Sequence, residues 1–143
     1  MKGFKFKFKK VLRVREIEED KALNLFHKIQ EKVKEIEIEL EKKRNKQRNI
    51  YNYIREQDRL SSDFMTVVRR YLKINREKIK KLDVELTEMK KKVAERRKEY
   101  IECRKKRRVM ERLKEKELKK EQKKVLSKEQ KELDEVGQQI REA

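Results

Sequence analysis

The sequence predicts an all-α protein in which two long helices form an antiparallel coiled-coil hairpin, with the second helix longer than the first. Apolar residues recur in two separate stretches at steps that alternate between three and four, which is the spacing of a coiled-coil seam. Charged residues make up 52% of the 143 residues, so too few apolar residues remain for a thick globular core. The chain has no proline and only two glycines, so almost nothing interrupts a helix internally.

The chain opens on a Phe-rich lead-in, in which Phe4, Phe6 and Phe8 alternate with lysines. Such alternation is typical of a strand, but a single short strand would have no partner to pair with. Phe8 and Leu12 are also spaced as neighbours on one face of a helix. We therefore expect helix 1 to begin at about residue 5.

Helix 1 is predicted over about residues 5–57. Its seam contains Ala22, Phe26, Ile29, Val33, Ile36, Leu40, Lys43, Gln47, Ile50 and Ile54. Residues 16–41 carry nine acids and four bases, a net charge of −5. Because like charges lie three or four residues apart on this helix, it gains little support from its own ion pairs and requires a basic neighbour.

A polar break at about residues 58–62 separates the two helices. Ser61 or Ser62 can cap the start of helix 2, and Asp63 in the first turn suits the helix dipole. Helix 2 is expected over about residues 63–140. A loop this short makes the helices antiparallel neighbours; one continuous helix bent at the two serines is the alternative.

The second seam fixes how the two helices align. It contains Val68, Leu72, Asn75, Ile79, Leu82, Leu86, Met89, Val93, Arg96, Tyr100, Cys103, Arg107 and Met110. Both seams coincide if residues whose numbers sum to 122 face each other, and Gln47 and Asn75 then share one polar layer. We interpret this layer as a register device, because slippage would place each amide against an aliphatic side chain. Opposite the acidic stretch, residues 82–107 have a net charge of +4.

This register has weak layers at the open end, where Phe26 faces Arg96 and Arg15 faces Arg107. About 25 residues of helix 2 extend past the end of helix 1. They keep an apolar face formed by Leu126, Leu133, Val136 and Ile140. An apolar stripe without an internal partner favours a docking surface over a frayed terminus. We expect the whole of residues 1–143 to form a single coiled-coil domain.

Nothing in the sequence predicts catalysis, a cofactor, a metal site or a small-molecule substrate. His27 is the only histidine, and Cys103 falls on the seam, where a small buried side chain is expected. No stretch is apolar enough to span a bilayer, no signal peptide is visible, and the single cysteine is compatible with a reducing compartment. We therefore expect a cytoplasmic protein that is not an enzyme.

The most basic stretch is residues 90–124, with eighteen Lys and Arg against seven Glu. This excess of positive charge is compatible with nucleic acid or anionic lipid. Few aromatic residues are interleaved for base stacking, and glutamates dilute the charge along the helix. A solvated or protein-docking face is therefore favoured over nucleic acid.

Two short motifs lie at opposite ends of the chain. Residues 6–16 read FKFKKVLRVRE, and residues 129–135 read EQKELDE. The first resembles the F-x-F-x-x-V-L-x-x-R-E opening of FliJ-type flagellar export proteins, and the second resembles the E-x-K-x-x-D-E signature near the end of that family. Because the spacing and total length also match, the resemblance covers the whole chain.

The resemblance implies a stalk-like coiled coil of the flagellar type III protein export apparatus, with roles in flagellum biogenesis and chemotaxis. It implies as partners the hexameric export ATPase, an export gate membrane protein and, as a further candidate, export chaperones. It also implies a peripheral position at the cytoplasmic side of the inner membrane. A basic nucleic-acid-binding coiled coil and the equivalent injectisome stalk protein remain as alternatives.

The family pattern assigns candidate binding residues to the two ends of the hairpin. The ATPase-facing candidates at the terminal end are Phe8, Leu12, Arg13, Arg15, Glu16, Lys131, Leu133, Asp134, Glu135 and Ile140. The gate-facing candidates at the loop end are Phe64, Val67, Tyr71 and Leu72. Leu72 also belongs to the seam, so packing alone accounts for it equally well.

Overall fold

The computed structural model describes residues 3–142, and within this range it contains two α-helices and no strand. Helix α1 spans Lys9–Glu56 and helix α2 spans Ser62–Glu142, with 48 and 81 residues respectively. The two long helices pack against each other in an antiparallel hairpin. This confirms the predicted fold class.

The Phe-rich lead-in is not helical, so the expectation that helix 1 begins at about residue 5 is wrong. Helix α1 begins at Lys9, and the backbone N–H of Lys9 donates to the carbonyl of Phe6 at 3.2 Å. Phe6 is only 7% exposed. One additional helical turn would add few hydrogen bonds, whereas burying an aromatic ring removes a large apolar surface from water. The burial of Phe6 therefore accounts for the non-helical path.

The loop between the helices is short and capped by a serine. The Oγ of Ser61 accepts a hydrogen bond from the backbone N–H of Phe64 at 3.1 Å, which identifies Ser61 as the N-cap of α2. Ser62 is already helical, and its carbonyl accepts a hydrogen bond from Thr66 Oγ1 at 3.0 Å. The chain is therefore interrupted at residues 57–61, which excludes a single bent helix.

The contacts divide the chain into two compact units. The loop unit comprises Ala22–Glu99, and the terminal unit comprises the residues before Ala22 together with those from Tyr100 onwards. The core of the loop unit is a cluster of Ile36, Leu40 and Met89, against which Val33, Ile79, Leu82 and Leu86 pack. These seven residues belong to consecutive layers of the 122 register. Leu40, at 2% exposed, lies at the centre of this core.

The terminal unit has a thinner apolar core. Among its described residues, only Phe6 and Leu12 are fully buried, each 7% exposed. The rings of Phe6 and Phe8 meet edge to face, with their centroids 6.0 Å apart. Seam residues such as Cys103 and Met110 are half-buried. The stability of this unit therefore depends more on polar contacts than that of the loop unit does.

Candidate docking surfaces

The polar layer of the loop unit is formed by a side chain and a backbone carbonyl. Asn75 is 4% exposed, and its Nδ2 donates to the backbone carbonyl of Lys43 at 3.1 Å. Gln47 lies one helical turn from Lys43 and is half-buried. The buried amide of Asn75 is therefore satisfied across the helix pair, which avoids the cost of an unpaired polar group.

Flanking ion pairs and hydrogen bonds surround the seam of the loop unit. Arg44 contacts Asp83 at 3.1 Å, Lys90 contacts Glu37 at 3.9 Å, and Arg76 donates to the Tyr51 hydroxyl at 3.2 Å. Each partner lies five residues, about one and a half helical turns, beyond the residue that the 122 register places opposite. The contact between Lys90 and Glu37 places a base against the acidic stretch of α1.

An open apolar groove lies beside the loop and is here called the tip groove. Its lining residues are Asn49, Ile50, Tyr53, Phe64, Val67, Val68 and Tyr71. Val67 is 67% exposed, and the exposed fractions of Phe64 and Tyr71 are about 40%. The groove thus combines three of the four predicted gate-facing residues on one accessible surface.

The rings of Tyr53 and Phe64 lie 5.9 Å apart and connect the last turns of α1 to the first turn of α2. Tyr53 is absent from the sequence-based set, although its position next to the seam residue Ile54 could have suggested it. Leu72, in contrast, is only 5% exposed. Its side chain packs in the seam and is not available at the surface.

At the start of α1, the predicted ATPase-facing residues differ in their environments. Leu12 is buried, and Phe8 is half-buried with the Nζ of Lys7 5.6 Å from its ring centroid. Arg13 forms an ion pair with Glu16 at 3.4 Å; the side chain of Arg13 is 71% exposed and that of Glu16 is 37% exposed. Of these residues, Arg13 is the most accessible to a partner, whereas Leu12 supports packing.

Arg107 is the centre of an ion-pair cluster in the terminal unit. Its guanidinium contacts the carboxylate of Glu19 on α1 and that of Glu111 on α2, the latter at 2.6 Å. Hydrogen bonds to Glu19 and then to Glu111 raise the pKa of Arg107 above its ordinary value, despite partial desolvation. Arg15 is paired with Glu18 at 3.1 Å. The sequence pattern placed Arg15 opposite Arg107 in a weak layer. Because each of these arginines has an acidic partner, their mutual repulsion is compensated.

The last part of α2 is here called the overhang and comprises residues 122–142. The lead-in lies beside the start of the overhang, where Gly3, Phe4 and Lys5 share a shallow groove with Glu117, Lys120, Glu121 and Lys124 of α2. From residue 122 to residue 136, every side chain of the overhang is exposed. Leu126 and Leu133 are each 65% exposed, Val136 and Ile140 are 52% and 72% exposed, and Val125 is 38% exposed.

The predicted polar residues of the overhang are also accessible. Lys131 and Glu135 are exposed, and Asp134 accepts a hydrogen bond from Gln130 Nε2 at 3.1 Å. The C-terminal candidates are therefore all accessible, but they lie on two sides of α2: Lys131 and Glu135 are on roughly the opposite side of the helix from Leu133 and Ile140. The candidates in α1 are not all accessible, because Leu12 is buried and Phe8 is half-buried.

Within residues 3–142, no helix is long and apolar enough to cross a membrane. The same range contains no group of three or more His, Cys, Asp or Glu side chains that could hold a metal ion.

Comparisons with curated proteins and with solved structures gave no match. The family of the flagellar FliJ protein, in contrast, matches this chain over residues 4–141. The match includes both helices, the loop and almost all of the overhang. The chain therefore belongs to the FliJ family and is a component of the flagellar protein export apparatus.

Proposed function

We propose that this protein is a non-enzymatic coupling component that binds the hexameric export ATPase through its terminal unit and the export gate through its tip groove. Family membership supports the export apparatus as its setting. The two binding assignments are supported by where accessible apolar side chains occur. Of the seventeen exposed large apolar side chains among the described residues, nine lie in the overhang or in the tip groove, whereas the seam residues of the loop unit are largely buried by packing.

The exposed overhang is the observation that carries the proposal. A helix in water gains most of its stability from packing an apolar face, and a helix without such a contact is marginal. The overhang keeps four large apolar side chains at least half exposed. A partner that covers them would gain apolar burial and would stabilise the helix at the same time.

The tip groove supports the second assignment. It is almost wholly apolar and is held open by the capped start of α2, where Ser61 fixes the backbone of Phe64. Aromatic side chains on a rigid element are favourable anchors, because they bury a large area with little loss of conformational freedom. Binding to a gate in the inner membrane would place the protein peripherally at the cytoplasmic side of that membrane.

The test of ATPase binding is removal of the overhang. A chain lacking residues 119–143 is expected to keep its helical circular dichroism but to lose the hexameric export ATPase in a pull-down. A shorter deletion of residues 126–143 leaves Lys120 and Lys124 beside the lead-in and is expected to give the same result. If either shortened chain is helical and retains the ATPase, the assignment fails.

The positive charge of residues 90–124 makes nucleic acid the second candidate partner. Its charge is partly neutralised in place: Arg96 contacts Glu99 at 2.9 Å, and Lys105 contacts Glu102 at 3.7 Å. A gel-shift assay with duplex DNA over a range of salt concentrations separates the two functions. Tight, steeply salt-dependent binding together with no affinity for the ATPase would favour nucleic acid.

Family membership favours the flagellar over the injectisome apparatus.

A further inference from the structure

A second seven-residue pattern runs along α2 within the terminal unit, apart from the seam. Its residues follow one another at alternating steps of three and four and are here called the outer stripe: Lys105, Arg108, Arg112, Glu115, Lys119, Gln122, Leu126, Glu129, Leu133, Val136 and Ile140. All of them are exposed, whereas the seam residues Cys103, Arg107 and Met110 are half-buried. Because its steps average 3.5 residues, the outer stripe winds slowly around α2, by about 20° per seven residues, and so can face one partner helix that supercoils with α2.

The chemistry of the outer stripe changes along its length. From Lys105 to Lys119 it holds four bases and one acid, and from Leu126 to Ile140 it holds four apolar residues and one acid. The change occurs at Gln122. At 1.5 Å per residue, the whole stripe is about 50 Å long. A ligand that covered it would need an extended shape and two chemically different halves.

The charge around the apolar half argues against a lipid or nucleic-acid ligand. Residues 126–140 contain four acids and two bases, a net charge of −2. An anionic membrane surface or a phosphate backbone that followed the basic half would be repelled by Glu129, Glu132, Asp134 and Glu135. A protein helix has neither problem, because its side chains can be acidic in one half and apolar with basic flanks in the other.

We propose that the outer stripe docks an α-helix of a partner protein, one with a seven-residue apolar repeat in one half and exposed acidic residues in the other. The apolar half of that helix packs on Leu126, Leu133, Val136 and Ile140, as in a coiled coil. Its acidic half lies along Lys105, Arg112 and Lys119, where opposite charges set the direction and alignment of the bound helix. This inference deepens the proposed role of the overhang in docking, and it specifies the chemistry of the partner element.

The test uses the full chain and a synthetic helical peptide of about 35 residues. One half of the peptide carries Leu at the seam positions with flanking lysines, and the other half carries Glu at the same positions. Fluorescence anisotropy at low salt is expected to show binding. The double variant Lys105→Glu with Lys119→Glu is expected to weaken binding about ten-fold. A peptide with Lys in place of the Glu residues is expected to bind the double variant better than the native chain.

The matched control is Lys106→Glu with Lys120→Glu. These lysines are exposed and directly follow the two stripe lysines, but they lie about 100° further around α2. This variant changes the net charge equally and is expected to leave peptide binding within about two-fold of native, since exposed charges off the contact contribute little. Leu126→Ser with Leu133→Ser is expected to abolish binding while the helical circular dichroism is retained.

If the two double lysine variants weakened peptide binding equally, the inference would be overturned, because the effect would then depend on net charge and not on the position of the lysines on α2. Tighter binding of duplex DNA or of anionic phosphatidylglycerol vesicles than of the peptide would also overturn it. So would a concentration-dependent dimer of the chain that Leu126→Ser with Leu133→Ser dissociates. If the ATPase binds the variants of the outer stripe as tightly as it binds the native chain, this inference fails while the proposed function stands.

Discussion

The side-chain amide of Asn75 on α2 donates a hydrogen bond to the backbone carbonyl of Lys43 on α1. The acceptor belongs to the main chain, so its position is set by the helix and not by the rotamer of a partner side chain. Asn75 is almost fully buried, and a slip of seven residues in either direction would place it opposite the aliphatic side chain of Leu40 or Ile54 instead of Gln47. The contact therefore selects one register at little gain in stability.

Replacing the Asn75 amide by an apolar side chain is expected to preserve the stability of the hairpin but to make the alignment of its two helices less uniform. For Asn75→Leu we expect unfolding by urea at an equal or higher midpoint, because a buried leucine adds apolar burial and the Lys43 carbonyl keeps its helical hydrogen bond. We also expect a broader distribution of distances between spin labels at residues 36 and 86. Asn52→Leu, at an exposed position, serves as the control and is expected to leave that distribution narrow.

The Arg107 cluster is expected to stabilise the terminal unit. A double-mutant cycle of Arg107→Met and Glu19→Gln, followed by amide hydrogen exchange in residues 9–21, is expected to give a coupling free energy of about 1 kcal/mol. A coupling free energy near zero would show that the two side chains are neighbours without mutual stabilisation.

The pH dependence of this contact on the alkaline side follows from the raised pKa of Arg107. A folded-state pKa above the unfolded value gives stability that is present below the unfolded pKa and is lost only as pH rises through the folded one. Both the folded-state and the unfolded-state pKa of Arg107 lie above the pH range in which proteins are ordinarily studied. The difference in hydrogen exchange between the native chain and Arg107→Met, corrected for the intrinsic exchange rate, is therefore expected to stay constant from about pH 7 to about pH 10.

Gly137 is expected to weaken the overhang helix. It lies in the interior of α2, and a methyl group at its Cα would meet no atom within 4 Å other than those of its two chain neighbours and of the adjacent helix backbone. Gly137→Ala is therefore expected to stabilise this part of the helix by about 1 kcal/mol. Slower amide exchange after residue 130 would report it, and Ser127→Ala provides a comparison in the same helix. Unchanged exchange in Gly137→Ala would contradict the expectation.

The tip groove is expected to bind the export gate without contributing much to folding. Phe64→Ser with Tyr71→Ser should abolish binding to the cytoplasmic part of the gate in a pull-down, because both aromatic side chains are accessible anchors. Ile74→Ser, an exposed apolar residue of α2 outside the groove, is the matched control and should retain binding. Retention of the gate by the double variant would remove the groove from the proposal.

Much of the fold follows from the two seams. The alternating spacing predicted two helices, the serines predicted the interruption, and the 122 register brought together the residues that form the cluster around Leu40. The lead-in could not be predicted in the same way. Its alternating Phe and Lys residues fit neither a lone strand nor the helical seam, and the burial of Phe6 depends on tertiary packing that local spacing does not encode.

The candidate surfaces were predictable where exposure follows from spacing. Phe64, Val67 and Tyr71 precede or flank seam positions, and the structure leaves them accessible. Leu72 is a seam residue and is buried, so in its case the packing interpretation applies. The acidic partners of Arg107 were missed, although each lies four residues from an arginine: Glu19 follows Arg15, and Glu111 follows Arg107 itself. A layer-by-layer comparison of the seam overlooks such neighbours from the adjacent turn.

The single short loop has a consequence for the order of folding. Near the loop, Arg76 and Tyr51 are only 25 residues apart along the chain, whereas Arg107 and Glu19 in the terminal unit are 88 residues apart. The entropy lost on closing a loop grows with its length, so the pair beside the loop is expected to form first and to shorten each later closure. Helix pairing would then spread from the loop outwards. The contacts of the terminal unit would be the last to form on folding and the first to open on unfolding. A partner that binds the paired form of the terminal unit would therefore stabilise the contacts that open most readily.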